Sequence, residues 1–247
     1  MRQPSKILKQ RARMTLLGKY FPSVCVVFLF SLISLLLTYL LDISGFSPAG
    51  DLMRQLSFWL MLAIISLLHA LLSIGLTHYF FQMTLHAPFS FRDLFYGFTN
   101  NPDRFIIAIA LRYGLPFLGW IPACIWYFRM PALLDSSARH ILLLLLLVLF
   151  AILLNLTVLL FYGLSFYILL EQPDCSPLES MRISRQLMVG QKGRLFSLYM
   201  SFIGYGLLEL GTMGVGKLWV RPYVEMVLIQ FYLDVKGETE ETPNIDS

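Results

Sequence analysis

The sequence is poor in charge, in cysteine and in catalytic motifs, and each shortage excludes a class of protein. Only 14% of the 247 residues are charged, against about 25% in soluble domains, which argues against a soluble enzyme. The three cysteines, Cys25, Cys124 and Cys175, have no CxxC or Cys/His spacing, which argues against a zinc site or disulfide framework. No Ser/His/Asp order, HExxH, Walker loop or paired carboxylate cluster appears. The sequence therefore predicts no catalytic, cofactor or metal residue, and no enzyme.

Long apolar runs are what the chain has instead. Residues 141–170 contain no Asp, Glu, Lys, Arg or His, and about 20 apolar residues suffice to cross a membrane. We predict an all-α, polytopic helical membrane protein with about six transmembrane helices plus interfacial amphipathic helices. One membrane domain, residues 22–235, would follow a basic segment, 1–21, and precede a disordered acidic tail, 236–247. The predicted spans are residues 22–41, 56–80, 105–128, 141–163, 195–215 and 218–233.

Several of these spans leave alternatives open. The first resembles a signal peptide, but its length and the lack of a cleavage site favour a retained helix. The run 141–170 exceeds the bilayer thickness, so it should tilt, bend near Gly163 or project into the cytosol. Pro116 and Pro122 predict kinks in the third span. Residues 218–233 are few, which fits either a short span or a re-entrant half-helix.

Basic residues predict the orientation. Six of them precede the first span, where no acid occurs. With six spans and the amino terminus inside, thirteen basic residues fall inside and five outside, with Arg112 in the membrane. Inner loops of membrane proteins carry such an excess. We therefore predict a multi-pass protein of the cytoplasmic membrane with both termini cytosolic, and the placement of charge favours anionic lipid over nucleic acid as its partner.

Three short segments are predicted to form amphipathic helices. Residues 5–17 gather Lys6, Lys9, Gln10 and Arg13 on one arc, so this helix either lies at the lipid headgroups or is a solvated tail that fixes orientation. Residues 91–98 repeat aromatics at helical spacing after Ser90 and predict an interfacial helix. Residues 176–190 begin with a Ser-Pro start signal and end on glycine, which predicts a cytosolic helix.

A set of motifs in the carboxy-terminal half resembles a known family. The motifs are YIL (167–169), SRQLMVGQK (184–192), LYMSFIGY (198–205), TxGVGxLWxxPY (212–223) and FYxD (231–234). They resemble the bacterial integral-membrane family called domain of unknown function 975, and the match is strong over Tyr167–Asp234. The resemblance implies a helical protein of the bacterial membrane, similar to the membrane portion attached to some glycerophosphodiesterases. Because the family's activity is unassigned, it implies no active site.

Ionisable residues within the predicted spans are candidate functional residues, because charge is costly there. They are Arg112, Glu209, Glu225 and His69. A direct pair between Arg112 and Glu209 would require tilt, since their expected depths differ, and Glu209 has alternative partners in Lys217 and Arg221. Structural ion pairing, a substrate or ion path, and a misplaced span boundary remain open. His69 either relays protons or donates to a neighbouring carbonyl or serine.

A second candidate region is basic and cytosolic. It consists of Arg182, Arg185, Lys192 and Arg194, which face anionic headgroups or a partner's acids, or only enforce orientation. We expect an accessory or scaffold protein whose partners are the lipid bilayer and a membrane protein or second copy of the chain. The alternative is a transporter or channel for a small solute or ion, built around Arg112, Glu209 and Glu225.

Overall fold

Every regular element in the part of the chain that the structure describes is a helix, which confirms the all-α prediction. The computed structural model describes residues 5–43, 51–129 and 138–237. Most of the predicted acidic tail therefore lies outside the described residues, as does the loop 44–50. In chain order the helices are α1 (Ser5–Leu16), α2 (Tyr20–Ile43), α3 (Leu52–Thr84), a 3-10 helix (Phe91–Phe95), α4 (Tyr96–Thr99), α5 (Pro102–Arg129), α6 (Ala138–Tyr162), α7 (Ser165–Glu171), α8 (Pro177–Leu187), α9 (Lys192–Met200), α10 (Ile203–Gly211) and α11 (Lys217–Lys236).

Fewer helices can cross a membrane than the six predicted. Among the described residues, three segments are long and apolar enough: Tyr20–Ile43, Met53–Thr84 and Arg139–Glu171. The two halves of α5 meet at an angle of 47°, and they make a fourth candidate if they are counted together as one bent span. Pro116 lies at that bend, as predicted, because proline donates no backbone hydrogen bond and its ring displaces the preceding turn.

The predicted fifth and sixth spans are not among these candidates. Residues 195–215 are divided between α9 and α10, and Met213 (φ 51°) and Gly214 (φ 88°) then reverse the chain before α11. Glycines recur through this run, and each lowers the helix propensity that a continuous span needs. α11 has 20 residues, but its charges, among them Arg221, Glu225 and Asp234, make it too polar for a typical span.

The described residues fall into two compact units. Unit 1 comprises Met1–Ile106 and Gly193–Ser247, and unit 2 is Ile107–Lys192. In unit 1, α3 packs against α2, α4, α11 and the 3-10 helix, while α11 also packs against α1 and α2. In unit 2, α8 packs against α6 and α7. The buried side chains of α11, such as Met226, Ile229 and Phe231, form much of the core of unit 1.

Two glycines allow the predicted interfacial segment to lie directly on α3. A Cβ on Gly75 would overlap the carbonyl of Leu94, and one on Gly97 would lie 2.6 Å from the carbonyl oxygen of Leu71. The predicted helix start is confirmed, because the Ser90 amide donates to the Asp93 carboxylate at 2.7 Å within a capping box. The segment is thus a short 3-10 helix followed by α4, both packed on α3 within unit 1.

α1 is the predicted amphipathic helix, and its apolar side is bound to protein. Leu8, Ala12 and Leu16 are buried where α1 packs on α11. Gly18 (φ 77°) ends the segment in the left-handed conformation that glycine adopts without strain. The alternative of a merely solvated tail is therefore wrong for this helix.

Candidate functional site

A charged cluster within unit 1 brings together three of the four candidate polar residues. Lys217, Arg221 and Glu225 are spaced four residues apart on α11, so they share one helix face. The Arg221 Nε lies 4.0 Å from Glu225 Oε1, and the two side chains are only 17% and 16% exposed. A charge pair this shielded needs further polar contacts to offset the loss of hydration.

Arg221 obtains those contacts from α2 and α3. Its Nη2 donates to the Ser73 hydroxyl at 3.2 Å, and its guanidinium lies 4.2 Å from the centroid of the Phe30 ring. The edge of the same ring meets His69 at 5.3 Å. Phe30 thus contacts both Arg221 and His69, and the guanidinium is held by one anion, one hydroxyl and one aromatic face.

Glu209 belongs to the edge of this charged cluster. It lies half-buried on α10, and its charge acts on both Lys217 and Arg221. Burial lowers the pKa of Lys217 from its ordinary value, the charge of Arg221 lowers it further, and Glu209 opposes both. Of the partners considered for Glu209, Lys217 and Arg221 on α11 are close enough to feel its charge.

Arg221 and Lys217 entered the sequence analysis only as possible partners of Glu209, since both fell at the outer edge of a predicted span. The four-residue spacing of Arg221 and Glu225 was the available signal. It is a common helical ion-pair pattern and does not by itself indicate burial.

A cavity of about 290 Å³ borders His69 between α2 and α3. Its polar lining includes Ser34, Thr38 and Ser66, and its apolar lining includes Leu37 and Leu62. Ser34 donates to the Phe30 carbonyl and Thr38 to the Ser34 carbonyl, both within their own helix. The cavity is therefore mildly polar, with a histidine on its wall.

Arg112 serves another purpose, in unit 2. Its Nη1 donates to the carbonyl oxygens of Tyr162 and Gly163, at 2.9 and 3.2 Å, where α6 ends. The guanidinium also lies 4.9 Å from the Phe166 ring. A cation is favourable at a helix C-terminus because the last carbonyls have no helical partner. Within unit 2, the contacts of Arg112 are to backbone carbonyls and aromatic rings.

Ser184 of α8 binds backbone groups at the break between α6 and α7. Its hydroxyl donates to the Phe161 carbonyl at 3.1 Å and accepts from the Leu164 amide at 3.3 Å. The helix is interrupted at Gly163, where one of the three alternatives placed a bend, and the side chains of Arg112 and Ser184 bond to the backbone groups there. Irregular backbone inside an apolar segment requires such partners. Sequence reasoning missed Ser184, because a serine in a helix gives no signal of a distant acceptor.

The predicted basic region is divided between the two units. On α8, Arg182 and Arg185 are exposed, and Arg182 borders a groove of about 450 Å³ with Leu178 and Gln186. Lys192 lies 3.4 Å from the centroid of the Phe161 ring. Arg194 belongs to unit 1, where it pairs at 2.7 Å with Asp234, whose side chain is 1% exposed. Arg194 is therefore part of an internal ion pair, Arg185 is exposed but lies 5.9 Å from the centroid of the same Phe161 ring, and Arg182 is exposed at the groove.

Comparison with known protein families agrees with the motifs in the second half of the chain. The family model described as protein of unknown function (DUF975) matches residues 1–239. The chain belongs to this family. The match extends over α1 to α11, so the DUF975 model covers both the charged cluster and the break at Gly163. No curated protein and no solved structure matches the chain.

The polar side chains discussed above for this DUF975 protein form charge pairs and hydrogen bonds. Among residues 5–43, 51–129 and 138–237, no group of three or more His, Cys, Asp or Glu side chains could hold a metal ion. Arg112, Arg194 and Arg221 instead meet carbonyl oxygens, carboxylates or aromatic faces. Such contacts stabilise helices against one another, whereas Arg182 on α8 is exposed.

Proposed function

We propose that this protein is an accessory or scaffold protein of the bacterial cytoplasmic membrane that docks a membrane-protein partner, or a second copy of itself, through α8. The observation that carries the proposal is that its internal arginines are already bound by other groups of the protein. Arg112 is held by carbonyl oxygens, Arg221 by Glu225 and Ser73, and Arg194 by Asp234. A transport path would instead need polar groups that exchange partners with a passing solute.

The outer face of α8 has the composition of a docking surface. Leu178 is 67% exposed beside Arg182 in the groove, and Arg185 is exposed on the next turn. An apolar side chain rimmed by arginines is typical of protein interfaces, where arginine is enriched. The partner would therefore offer an apolar side chain flanked by acidic residues.

We infer that the helices of unit 1 that follow Gly193 lie on the cytosolic side together with α1. The Tyr20 hydroxyl donates to the carbonyl of Trp219 at 3.0 Å, so the first turns of α2 and α11 are neighbours. α11 then packs along α1, a helix too charged for the hydrocarbon core. Four spans and two cytosolic termini follow. Lys217 and Arg221 then join the inner basic residues, which strengthens the charge asymmetry that favours this orientation.

Photo-cross-linking from α8 tests the docking proposal. A photoreactive amino acid replaces Leu178 in protein expressed at its native level, and the cross-linked products are resolved by mass. The test variant is R182Q/R185Q. The matched control is K6Q/R92Q, which removes two exposed cations of unit 1 from the face predicted to be cytosolic.

We expect a discrete cross-linked species whose yield falls at least several-fold in the test variant and stays unchanged in the control. A species of equal yield in both variants, or no protein adduct at all, would contradict docking through these arginines. A product of twice the monomer mass that contains only this chain would identify the partner as a second copy.

The cavity beside His69 favours one alternative, a path for protons or small ions. Purified protein in liposomes would then carry a proton flux above that of protein-free liposomes, and His69→Ala would reduce it without lowering the melting midpoint. The proposed accessory role predicts no flux above the protein-free level for either form.

A further inference from the structure

Unit 1 contains a cleft that none of the roles above uses. It lies among α1, α10 and α11, with a volume of about 670 Å³, which is within the range of small-molecule sites. One part of its wall is polar and comes from Arg13, Tyr20, Tyr205 and Tyr223. The other part is apolar and includes Leu16, Leu208 and Trp219. No carboxylate lines it.

The polar end of the cleft is built for an anion. The Arg13 guanidinium lies 5.6 Å from the centroid of the Tyr223 ring, and the Tyr205 and Tyr223 rings are 5.7 Å apart. The electrostatic interaction with Tyr223 and a hydrogen bond to Tyr205 raise the pKa of Arg13. An arginine uses few of its five donors in such contacts, so a fork remains for two oxygens of one anionic group.

The apolar end of the cleft continues into side chains that have no protein cover. Leu17 is 69% exposed, Phe21 81% and Leu207 65%. Phe21 belongs to α2, a candidate membrane span. In a bilayer such side chains meet acyl chains, so a molecule held at Arg13 would extend from a polar anchor into hydrocarbon.

We propose that this cleft binds one phospholipid with a net negative headgroup. Its phosphate would accept hydrogen bonds from Arg13 and a tyrosine hydroxyl, and one acyl chain would lie along Leu208 and Trp219. Lys9, which lies 5.4 Å from the centroid of the Phe202 ring, adds positive charge on the same side of α1. The absence of a lining carboxylate disfavours the choline group of a zwitterionic lipid.

Quenching of Trp219 measures this binding directly. Trp59, Trp120 and Trp126 are replaced by Phe, which leaves Trp219 as the one tryptophan of the chain. Phosphatidylglycerol with brominated acyl chains is titrated into this protein in a neutral detergent, with brominated phosphatidylcholine as the comparison. Bromine quenches only indoles that it touches, so the signal reports a chain within the cleft.

We expect saturable quenching with a Kd about tenfold lower for phosphatidylglycerol than for phosphatidylcholine, the size of one charge-assisted hydrogen bond. Arg13→Gln should abolish that difference. Tyr205→Phe should reduce it while keeping the ring, and it serves as the test if the Arg13 variant does not fold. Lys6→Gln is the matched control, an exposed cation of α1 outside the cleft, and should leave the difference intact.

Three results would overturn the site. Equal quenching by both lipids would show that the cleft does not recognise the headgroup. An equal loss of the affinity difference in Arg13→Gln and in Lys6→Gln would show that general surface charge causes the effect. Competition by soluble glycerol phosphate as strong as that by unbrominated phosphatidylglycerol would indicate a soluble anion as the ligand. The α8 docking proposal does not depend on this outcome, since no residue of α8 lines the cleft.

Discussion

Three arginines show how a cation in an apolar segment acquires a partner. Arg194 has a carboxylate at 2.7 Å, Arg112 has two backbone carbonyls, and Arg221 combines a hydroxyl, an aromatic face and a more distant carboxylate. Each arrangement removes the cost of an unpaired buried charge. Because the partners differ, substitution at each site should have a different effect.

Loss of the Glu225 charge should destabilise unit 1 moderately. Glu225→Gln leaves Arg221 with Ser73 and Phe30 but without an anion, so we expect the free energy of unfolding to fall by about 1–3 kcal/mol. Thermal denaturation in one detergent measures it. The matched control is Asp174→Asn, an exposed carboxylate that should change stability by no more than about 0.5 kcal/mol. Equal midpoints for both variants would show that the Arg221–Glu225 pair contributes nothing.

At the scale of single residues, the sequence shows which side chains are unusual but not what they meet. His69, Glu209 and Glu225 could be chosen because ionisable groups are rare in apolar runs. Arg221 could not be chosen, since its role depends on Phe30 and Ser73, which are far away in the sequence. A sequence pattern places a residue on a helix face, and only tertiary packing determines its partner.

At the scale of helices, interruptions are held in place by side chains from other elements. α6 stops at Tyr162, and Arg112 and Ser184 bind the backbone groups around Gly163. This break could be predicted only as one of three ways to accommodate an overlong apolar run. Choosing among them required the partners from α5 and α8.

Removal of the Ser184 hydroxyl tests how much these backbone contacts stabilise the break. Ser184→Ala leaves the Leu164 amide and the Phe161 carbonyl without this partner, so we expect a loss of about 1–3 kcal/mol and faster amide exchange at residues 161–165. Ser180→Ala removes a buried hydroxyl from the same helix, but its bond is local, to the Pro177 carbonyl, and its loss should cost less. A larger effect at position 180 would refute the bridging role of Ser184.

The contact between α3 and the 3-10 helix depends on a glycine. Gly75→Ala would place a methyl group on the Leu94 carbonyl, and the required backbone shift should cost about 1–3 kcal/mol. Gly204→Ala is the control, because nothing lies near its added Cβ in α10 and alanine favours a helix. Its melting midpoint should stay level or rise. If the melting midpoint of Gly75→Ala also stayed level or rose, the close approach of Gly75 to the Leu94 carbonyl would be contradicted.

At the scale of the whole molecule, hydropathy predicted a helical protein with apolar, membrane-length helices but overestimated the number of spans, and the orientation predicted from charge stays a prediction. Residues 195–215 are apolar enough to suggest a crossing, yet a turn at Ser201 and Phe202 divides them into two short helices. α11 contains apolar residues as well as charges, because its neighbours are α1, α2 and α3 rather than lipid alone. Burial against protein and burial in lipid leave similar apolar patterns, so the sequence could not separate them.

The position of residue 213 tests the four-span account most directly. Met213 is 97% exposed between α10 and α11, so a cysteine there is accessible to a reagent. In a chain without its three native cysteines, Met213→Cys should escape an impermeant maleimide in intact cells and react once the membrane is permeabilised. Cysteine at position 47 should react in intact cells. Labelling of Met213→Cys in intact cells would place this turn outside and contradict the account.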